Sequence, residues 1–265
     1  MLNSKNDSNG KIVVLSDLHL WGPEDPLYRA LLKFIDSKLS YGDKFFIVGD
    51  LFDLFIGGKS VFIERYYELI AKIRDLAAKK IEVFYIEGNH DFHLENIFDD
   101  CAHVRLYADS LHYEWNGRKL YFCHGDKLNW KDVGYQAFRL LTRNLVSQCI
   151  IEATPGTIID RVGRMMSKAS RGYHVEPNDD VVRLFRNHAC ELIASGYDFV
   201  VMGHSHYMDD MRFRINGHEG QYVNVGYPRK HKRYLELAGE DCFFKMSSWD
   251  EVVSPLRPLK SVEQD

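Results

Sequence analysis

Five short apolar runs along the chain each end directly in a cluster of polar residues. The runs are Ile12–Leu15, Phe45–Val48, Val83–Ile86, Leu120–Cys123 and Phe199–Met202. Short apolar runs bounded by turn residues are typical of buried strands. The clusters that follow them are rich in aspartate, glycine and histidine, and a ligand-bearing loop at a strand end is a rigid base for a metal. The pattern therefore places candidate chemistry at five strand ends.

The segments between the first three runs have apolar positions at helical spacing. Residues Leu27 to Leu39 carry one apolar face, and residues 61–78 form a second amphipathic segment. We expect one helix in each segment. The resulting β-α-β-α-β order predicts an α/β domain with a partly parallel sheet and with ligands at the carboxyl ends of the strands.

The second half of the chain changes to alternating runs joined by turn residues. Asn116-Gly117 and Asn216-Gly217 each predict a hairpin. A last pair of strands, Arg233–Leu237 and Asp241–Met246, is expected to close the domain, and the tail from Val253 is expected to fray. Together these elements predict two packed sheets with helices outside them.

Residues 130–195 have a mainly helical pattern and separate two of the polar clusters by more than a simple connection requires. We expect a helical insertion, or lid, within a single domain that spans residues 1–265. The stretch from Arg139 to Arg171 contains six cationic side chains and two carboxylates, which give it a local charge of +4. The pattern is typical of amphipathic helices that pack on each other and expose a basic face. It equally fits a lid with an apolar chamber for acyl chains and a cationic rim for phosphate or a membrane surface.

The bulk composition restricts the classes of partner and the cellular compartment that we expect for this chain. At 265 residues the chain is long enough for one domain with a sizeable core, and its net charge of −4 argues against a general nucleic-acid binder, so we expect no nucleic-acid partner. The five cysteines are scattered without a CxxC pair, which favours reduced thiols. No signal sequence and no apolar stretch of about 20 residues is visible. We expect a cytoplasmic protein, and peripheral contact with a membrane stays open.

The polar clusters together supply carboxylates, one amide oxygen and several imidazoles. The candidate metal ligands are Asp17, His19, Asp50, Asn89, His124, His204 and His206. Such a mixed oxygen and nitrogen set favours Mn²⁺, Fe²⁺ or Zn²⁺ over Ca²⁺ or a structural zinc. Two ions about 3.5–4 Å apart can clamp phosphoryl oxygens and stabilise an in-line displacement. The set therefore predicts a hydrolase of phosphoesters or phosphoanhydrides in which Asp50 contacts both ions.

The order of the motifs resembles the calcineurin-like metallophosphoesterase family over residues 11–207. The matching motifs are Asp17-x-His19, Gly49-Asp50-x-x-Asp53, Gly88-Asn89-His90-Asp91, His124 and Gly203-His204-x-His206. The resemblance implies a four-layer αββα sandwich. It implies one ion held by Asp17, His19, Asp50 and His206, and another held by Asp50, Asn89, His124 and His204. It also implies that His90 binds phosphate or protonates the leaving group, with support from Asp53 or Asp91.

Further residues are similar to the UDP-2,3-diacylglucosamine pyrophosphohydrolases of lipid A biosynthesis. They are the Gly49–Gly57 run, His124-Gly125-Asp126, the Asp132–Arg139 run and Arg164-x-x-Ser167. Those enzymes release UMP and 2,3-diacylglucosamine 1-phosphate, use Mn²⁺, and grip the acyl chains with a helical insertion. The resemblance implies a nucleotide-linked glycolipid substrate at the cytoplasmic face of the inner membrane. We expect substrate contacts from Asn89, His90, Asp132, Tyr135, Arg164, Ser167 and His204.

One position departs from that closer pattern. The main group of those enzymes has an arginine where this chain has His90. An arginine holds phosphate as a fixed charge, whereas a histidine can also donate a proton. The departure leaves open a metallophosphoesterase that acts on another phosphodiester, a nucleotide or a phosphomonoester. A scaffold that lost its chemistry is the remaining alternative, and the complete ligand set argues against it.

Overall fold

Two six-stranded sheets pack face to face in a computed structural model that describes residues 2–3, 10–129, 150–171, 179–239 and 241–249. The strands are β1 (Leu2–Asn3), β2 (Ile12–Leu15), β3 (Lys44–Val48), β4 (Phe55–Ile56), β5 (Glu82–Ile86), β6 (Asp91–Phe92), β7 (Val104–Tyr107), β8 (Ser110–Trp115), β9 (Arg118–Cys123), β10 (Phe199–Met202), β11 (Asp209–Ile215), β12 (His218–Asn224), β13 (Arg233–Leu237) and β14 (Lys245–Ser248). The helices are α1 (Pro26–Lys38), α2 (Ser60–Arg65), α3 (Tyr67–Asp75), α4 (Glu95–Phe98), α5 (Gly156–Arg171), α6 (Asp179–Ala194) and α7 (Pro228–His231).

The first sheet has the strand order β14-β13-β2-β3-β5-β7. Its strands β2, β3 and β5 run parallel, as the alternation of strands and helices predicted, and β7 adds a fourth parallel strand. Alternate side chains of a strand face opposite sides of the sheet. Val13 and Leu15 accordingly pack against the helices, whereas Ile12 and Val14 pack against the second sheet.

The second sheet has the order β1-β8-β9-β10-β12-β11. Its hairpin between β8 and β9 turns at Asn116 (φ 52°) and Gly117 (φ 72°), as the Asn-Gly pair predicted. The ring of Phe46 lies between the two sheets, with its centroid 4.6 Å from that of Phe84 and 4.3 Å from that of Phe122. Stacked aromatic rings thus fill the space where the sheets meet.

Helices cover both outer faces and complete four layers. Helices α1 and α3 bury their apolar faces on the first sheet. Helix α6 covers the second sheet with Phe185, Ala189 and Ile193, which pack against outward-facing residues such as Val200. The expected αββα sandwich is therefore confirmed.

The segment predicted as an insertion divides between two environments. Helix α6 belongs to the sandwich as its fourth layer. The bounds of the insertion, residues 130–195, stay a prediction. Helix α5 instead packs against α2, and Asp160 accepts two hydrogen bonds from Arg65 at 2.7 and 2.8 Å. Residues 130–149 and 172–178 lie outside the described residues.

Two expected elements differ from the structure. The single helix expected over residues 61–78 is two helices, because Tyr66 (φ −108°, ψ 16°) leaves the helical conformation. There its buried ring packs on Phe52, and its hydroxyl donates to the Leu20 carbonyl at 2.8 Å. The last strand is β14 rather than 241–246, because Asp241 closes a turn through two hydrogen bonds with Ala238. The tail from residue 253 lies outside the described residues.

Across the described part of the chain, no helix has the length and apolar character needed to cross a bilayer. Cys101 and Cys123 are buried free thiols, and the two other cysteines that the structure describes, Cys190 and Cys242, are also free.

Candidate metal centre

The five polar clusters meet at one edge of the sandwich, beyond the carboxyl ends of strands β2, β3, β5, β9 and β10. Several candidate ligands there have a left-handed backbone, with φ between 47° and 62°: Asp17, His19, Asp50, His204 and His206. Each such conformation costs on the order of 1–3 kcal/mol outside glycine and persists only where the surroundings hold it. This concentration of strained residues marks the edge as a functional site.

Asp17, His19 and His206 form the first group of donor atoms. The Nε2 atoms of His19 and His206 lie 3.1 Å apart, and Nε2 of His206 lies 3.4 Å from Oδ1 of Asp17. The backbone N–H of His204 donates to both Asp17 oxygens, at 2.9 and 3.1 Å. Burial lowers the pKa of His19 well below its usual value, so this imidazole is neutral and ready to bind a cation.

Asn89, His124 and His204 form the second group. The amide oxygen of Asn89 lies 3.0 Å from Nε2 of His124 and 2.9 Å from Nδ1 of His204. The other nitrogen of His124, Nδ1, donates to the Val48 carbonyl at 3.1 Å, which leaves Nε2 to face the site. Burial and the neighbouring His124 lower the pKa of His204 to about 4.

Asp50 lies between the two groups. Its Oδ2 atom is 3.6 Å from Nε2 of His19 and 3.3 Å from Nε2 of His124. Its Oδ1 atom accepts the backbone N–H of His90 at 2.9 Å. Burial lowers the pKa of His124, but the Asp50 carboxylate outweighs burial and raises that pKa to about 10. One carboxylate oxygen thus adjoins a ligand of each group, the position that a bridging ligand needs.

The donor sets fit divalent transition ions. The ligand atoms of the first group, Asp17, His19 and His206, lie within 4.8 Å of one another. The same holds for the ligand atoms of Asp50, His124 and His204. Imidazole nitrogens and carboxylate oxygens converge there from buried loops, with Asn89 as a neutral oxygen donor. Such a set suits Zn²⁺, Fe²⁺ or Mn²⁺.

His90 lies beside the first group. Its Nδ1 atom is 2.7 Å from the backbone carbonyl oxygen of Asp53, which can only accept, so Nδ1 carries a proton. Its ring meets the ring of His19 edge to face, with centroids 4.7 Å apart. Asp53 thus supports His90 through its main chain, and ligand atoms of His19, Asp53 and His90 also lie within 4.8 Å of one another.

Asp91 occupies a different place from the one expected for a partner of His90. Its buried carboxylate accepts five hydrogen bonds at 2.6 to 3.3 Å, from the backbone N–H groups of Asp50, Leu51, Phe52 and Gly88 and from the hydroxyl of Tyr85. Burial and the neighbouring Asp50 raise the pKa of Asp91 to about 6. Asp91 therefore holds the loops that carry Asp50 and Asn89.

Two glycines leave room for these side chains. A Cβ atom at Gly49 (φ 78°) would overlap the ring of His124, and one at Gly88 would overlap the carboxylate and backbone nitrogen of Asp50. The glycines that precede Asp50 and Asn89 are thus required by close packing at the centre as well as by the turn.

The remaining predicted substrate contacts lie outside the description. Asp132 and Tyr135 fall outside the described residues. Arg164 and Ser167 fall on helix α5, at positions whose side chains are likewise not described. Their contact with substrate therefore stays a prediction.

Sequence reasoning missed a group of residues from the segment after β12. The ring of Tyr227 stacks on that of His206 with centroids 4.8 Å apart, and Arg229 donates to the His19 carbonyl at 2.7 Å. Tyr227-Pro228-Arg229 matches no spacing that predicts a ligand, and its only signal is a short polar stretch between two strands.

Known proteins are similar in sequence to this chain over most of its length. It is 26% identical over 236 residues to a UDP-2,3-diacylglucosamine hydrolase of Psychromonas ingrahamii, a match that covers 86% of this chain and 93% of that protein. It is 26% identical over 233 residues to the protein of the same name from Ectopseudomonas mendocina, covering 86% and 95%. A solved archaeal phosphodiesterase is 16% identical, with a TM-score of 0.46 over 89% of this chain and 98% of that one, a similarity too low to support an argument.

The family assignment rests on a match to a family profile. Residues 10–208 match the profile described as calcineurin-like phosphoesterase, and that stretch contains all seven candidate ligands. This chain therefore belongs to the calcineurin-like phosphoesterase family, as a metal-dependent hydrolase of phosphoric esters or anhydrides.

Proposed function

We propose that the chain hydrolyses the pyrophosphate of UDP-2,3-diacylglucosamine, releasing UMP and 2,3-diacylglucosamine 1-phosphate, with two divalent ions that are Mn²⁺ in the cell. The observation that carries the two-ion part is the position of Asp50, whose Oδ2 atom adjoins an imidazole of each group at 3.6 and 3.3 Å. The named relatives, aligned over 86% of this chain, support the substrate.

The side chains divide into two ligand sets that share Asp50. Asp17, His19 and His206 join it on one side, and Asn89, His124 and His204 join it on the other. Two bound divalent ions supply Lewis-acid stabilisation of the charge that develops on the phosphoryl oxygens. The protein holds its ligands through buried hydrogen bonds, such as that from Nδ1 of His124 to the Val48 carbonyl.

His90 is the proposed proton donor and phosphate contact. Its Nδ1–H donates to the Asp53 carbonyl, which fixes the ring, and the proposed active form is the doubly protonated imidazole. The Nε2–H of that imidazolium can then hold a phosphoryl oxygen or protonate the leaving group. His204 and Asn89 would orient the same phosphoryl group.

Helix α5 is the proposed support for the acyl chains. Ile158, Val162 and Met165 recur at helical spacing and are 52%, 50% and 68% exposed in the described structure. An apolar stripe of this kind suits lipid chains. Contacts from Asp132, Tyr135, Arg164 and Ser167, and peripheral attachment to the cytoplasmic face of a membrane, belong to the same proposal.

A second candidate function keeps the same ions and chemistry but a different substrate. His90 stands where the enzymes that this chain resembles have an arginine, and its Nε2 atom is the ring nitrogen that the Asp53 carbonyl leaves available. A proton donor there favours an ester with a poorer leaving group. Another phosphodiester, a nucleotide or a phosphomonoester would then be the substrate.

A product assay on Mn²⁺-loaded protein separates the two. UDP-2,3-diacylglucosamine, UDP-N-acetylglucosamine and bis-p-nitrophenyl phosphate are offered separately, with Asp50→Asn as the inactive control. Rapid release of UMP from the acylated substrate alone supports the proposed reaction. Turnover of the simple diester without the acylated substrate overturns it in favour of the second candidate.

A further inference from the structure

A short segment that begins with the last residue of strand β12 contacts the loops that carry His19, His204 and His206. It runs from Asn224 to Arg229, and we call it the C-terminal clasp. It lies outside residues 10–208, the part of the chain that matches the family profile. From its contacts we infer that Tyr227 and Arg229 are positioning residues that hold His19 and His206 for one of the two ions. This inference rests on the two-ion arrangement proposed above.

Tyr227 packs on both imidazoles of the first ligand group. Its ring is nearly parallel to that of His206, with centroids 4.8 Å apart and planes 13° apart. It meets the ring of His19 edge to face at 6.0 Å. Because the Nε2 atoms of these two histidines must converge on one point, a ring that packs on both restricts the rotation of each.

Arg229 holds the backbone of His19. One of its nitrogens donates to the His19 carbonyl at 2.7 Å, and its guanidinium makes two further hydrogen bonds to the carboxylate of Asp25. Asp25 is fully buried, and it also accepts the backbone N–H groups of Trp21 and Leu27. The guanidinium therefore ties the whole loop that follows His19 to the start of helix α1.

The planar fork of arginine is required for this arrangement. Lysine carries one compact charge and cannot reach a carboxylate bidentately and a carbonyl in the same plane. The loop needs this support because His19 and His206 both hold left-handed backbone conformations, with φ of 47° and 55°.

Asn224 anchors the clasp to the loop before His206. The Asn224 amide donates to the Gly203 carbonyl at 2.9 Å and to the Ser205 hydroxyl at 3.1 Å. The chain turns at Gly226 with φ at 76°, and a Cβ atom there would overlap the ring of His231. The clasp thus joins the two loops of the first ligand group from one side.

Four variants test the inference. Electron paramagnetic resonance at increasing free Mn²⁺ measures Mn²⁺ binding by each variant, and the thermal unfolding of each is recorded as well. Tyr227→Leu removes the ring that stacks on His206. Arg229→Lys removes the planar guanidinium that binds both Asp25 and the His19 carbonyl. Tyr227→Phe keeps the ring. Arg186→Lys is the matched control, because Arg186 makes a bidentate pair with Asp209 at 2.7 and 3.0 Å that ties helix α6 to strand β11.

We expect Tyr227→Leu and Arg229→Lys to weaken one of two Mn²⁺ equivalents by about 10- to 100-fold and to leave the other unchanged. Tyr227→Phe and Arg186→Lys should bind both equivalents as the unaltered protein does. If Tyr227→Leu and Arg229→Lys keep both affinities, or lose both equally as the unfolding temperature falls, the clasp is only structural and the inference is overturned. If the unaltered protein binds fewer than two equivalents, the two-ion proposal itself fails.

Discussion

Oδ2 of Asp50 lies 3.3 Å from Nε2 of His124, and both side chains are buried. This contact raises the pKa of His124 to about 10 in the metal-free protein, despite burial, which lowers it. Nε2 of His124 therefore carries a proton at neutral pH, and a metal ion must displace that proton to bind. The pair links metal affinity to pH.

The expected result is a rise in apparent metal affinity of about tenfold per pH unit between pH 7 and 9, since one proton is released on binding throughout that range. His204, with a pKa of about 4, is already neutral there and adds nothing to the slope. Competition titrations with a chelating dye at several pH values measure the slope. An affinity that does not change with pH would contradict the coupling.

Replacing His90 tests its role as a proton donor. We expect His90→Ala to lower kcat by roughly 10²–10⁴-fold, because a positioned general acid contributes a factor of that size. His90→Arg should restore phosphate binding, seen in KM, without restoring kcat. Steady-state kinetics on the best substrate provide both numbers, and a negligible loss in His90→Ala would remove the role.

Gly88→Ala tests the close packing around Asp50. The added methyl group would overlap the Asp50 carboxylate and backbone nitrogen, so the bridging ligand must shift. We expect loss of at least one metal equivalent and a kcat lowered by about 100-fold or more, as a misplacement of about 1 Å commonly produces. Gly239→Ala, whose Cβ would meet only the Asn116 side chain at 3.4 Å, is the matched control. Metal analysis after dialysis gives the answer, and full occupancy in Gly88→Ala would refute the argument.

Asp160→Asn tests whether the position of helix α5 matters for the substrate. The Arg65–Asp160 pair is mostly buried, and breaking such a pair commonly costs about 3–5 kcal/mol. Helix α5 also packs closely on Leu54, next to Asp53, through Gly163. We expect KM for the acylated substrate to rise about tenfold. The kcat for bis-p-nitrophenyl phosphate should stay unchanged.

Glu82→Gln serves as the control for that variant, because it alters a more exposed Arg–Glu pair on the first sheet. Limited proteolysis of residues 150–171 in both variants reports whether α5 has loosened. An equal rise in KM for both substrates would show that α5 does not distinguish them.

The strands and the ligand clusters could be predicted because their signals are local. An apolar run followed by Gly-Asp or Gly-Asn can be recognised within ten residues of sequence. Parallel strands then bring their carboxyl ends to one edge of the sheet. Asp50 and Asn89 were therefore found together from spacing alone. The break at Tyr66 was not predictable, because its cause is the packing of that ring on Phe52 and its hydrogen bond to Leu20.

The same distinction separates the roles of the acidic residues. Asp53 and Asp91 looked equivalent as partners for His90 in the sequence. In the structure the Asp53 carbonyl accepts a hydrogen bond from His90. The Asp91 carboxylate accepts hydrogen bonds from four backbone N–H groups and from the Tyr85 hydroxyl. A carboxylate's role follows from which donors surround it when it is buried, and the linear order of residues does not contain that information.

The order of residues predicted two packed sheets with helices outside them and a set of candidate ligands, because periodicity and short motifs depend on neighbours in sequence. The αββα class and the family followed from the resemblance of those motifs to known enzymes. The tertiary structure alone placed Asp50 between the two ligand groups, α6 in the outer layer, and Arg229 on the loop of His19. Arg229 and Asp25 are 204 positions apart, and only folding brings them within hydrogen-bonding distance. Contacts of this kind depend on through-space packing, which sets the geometry on which the proposed chemistry depends.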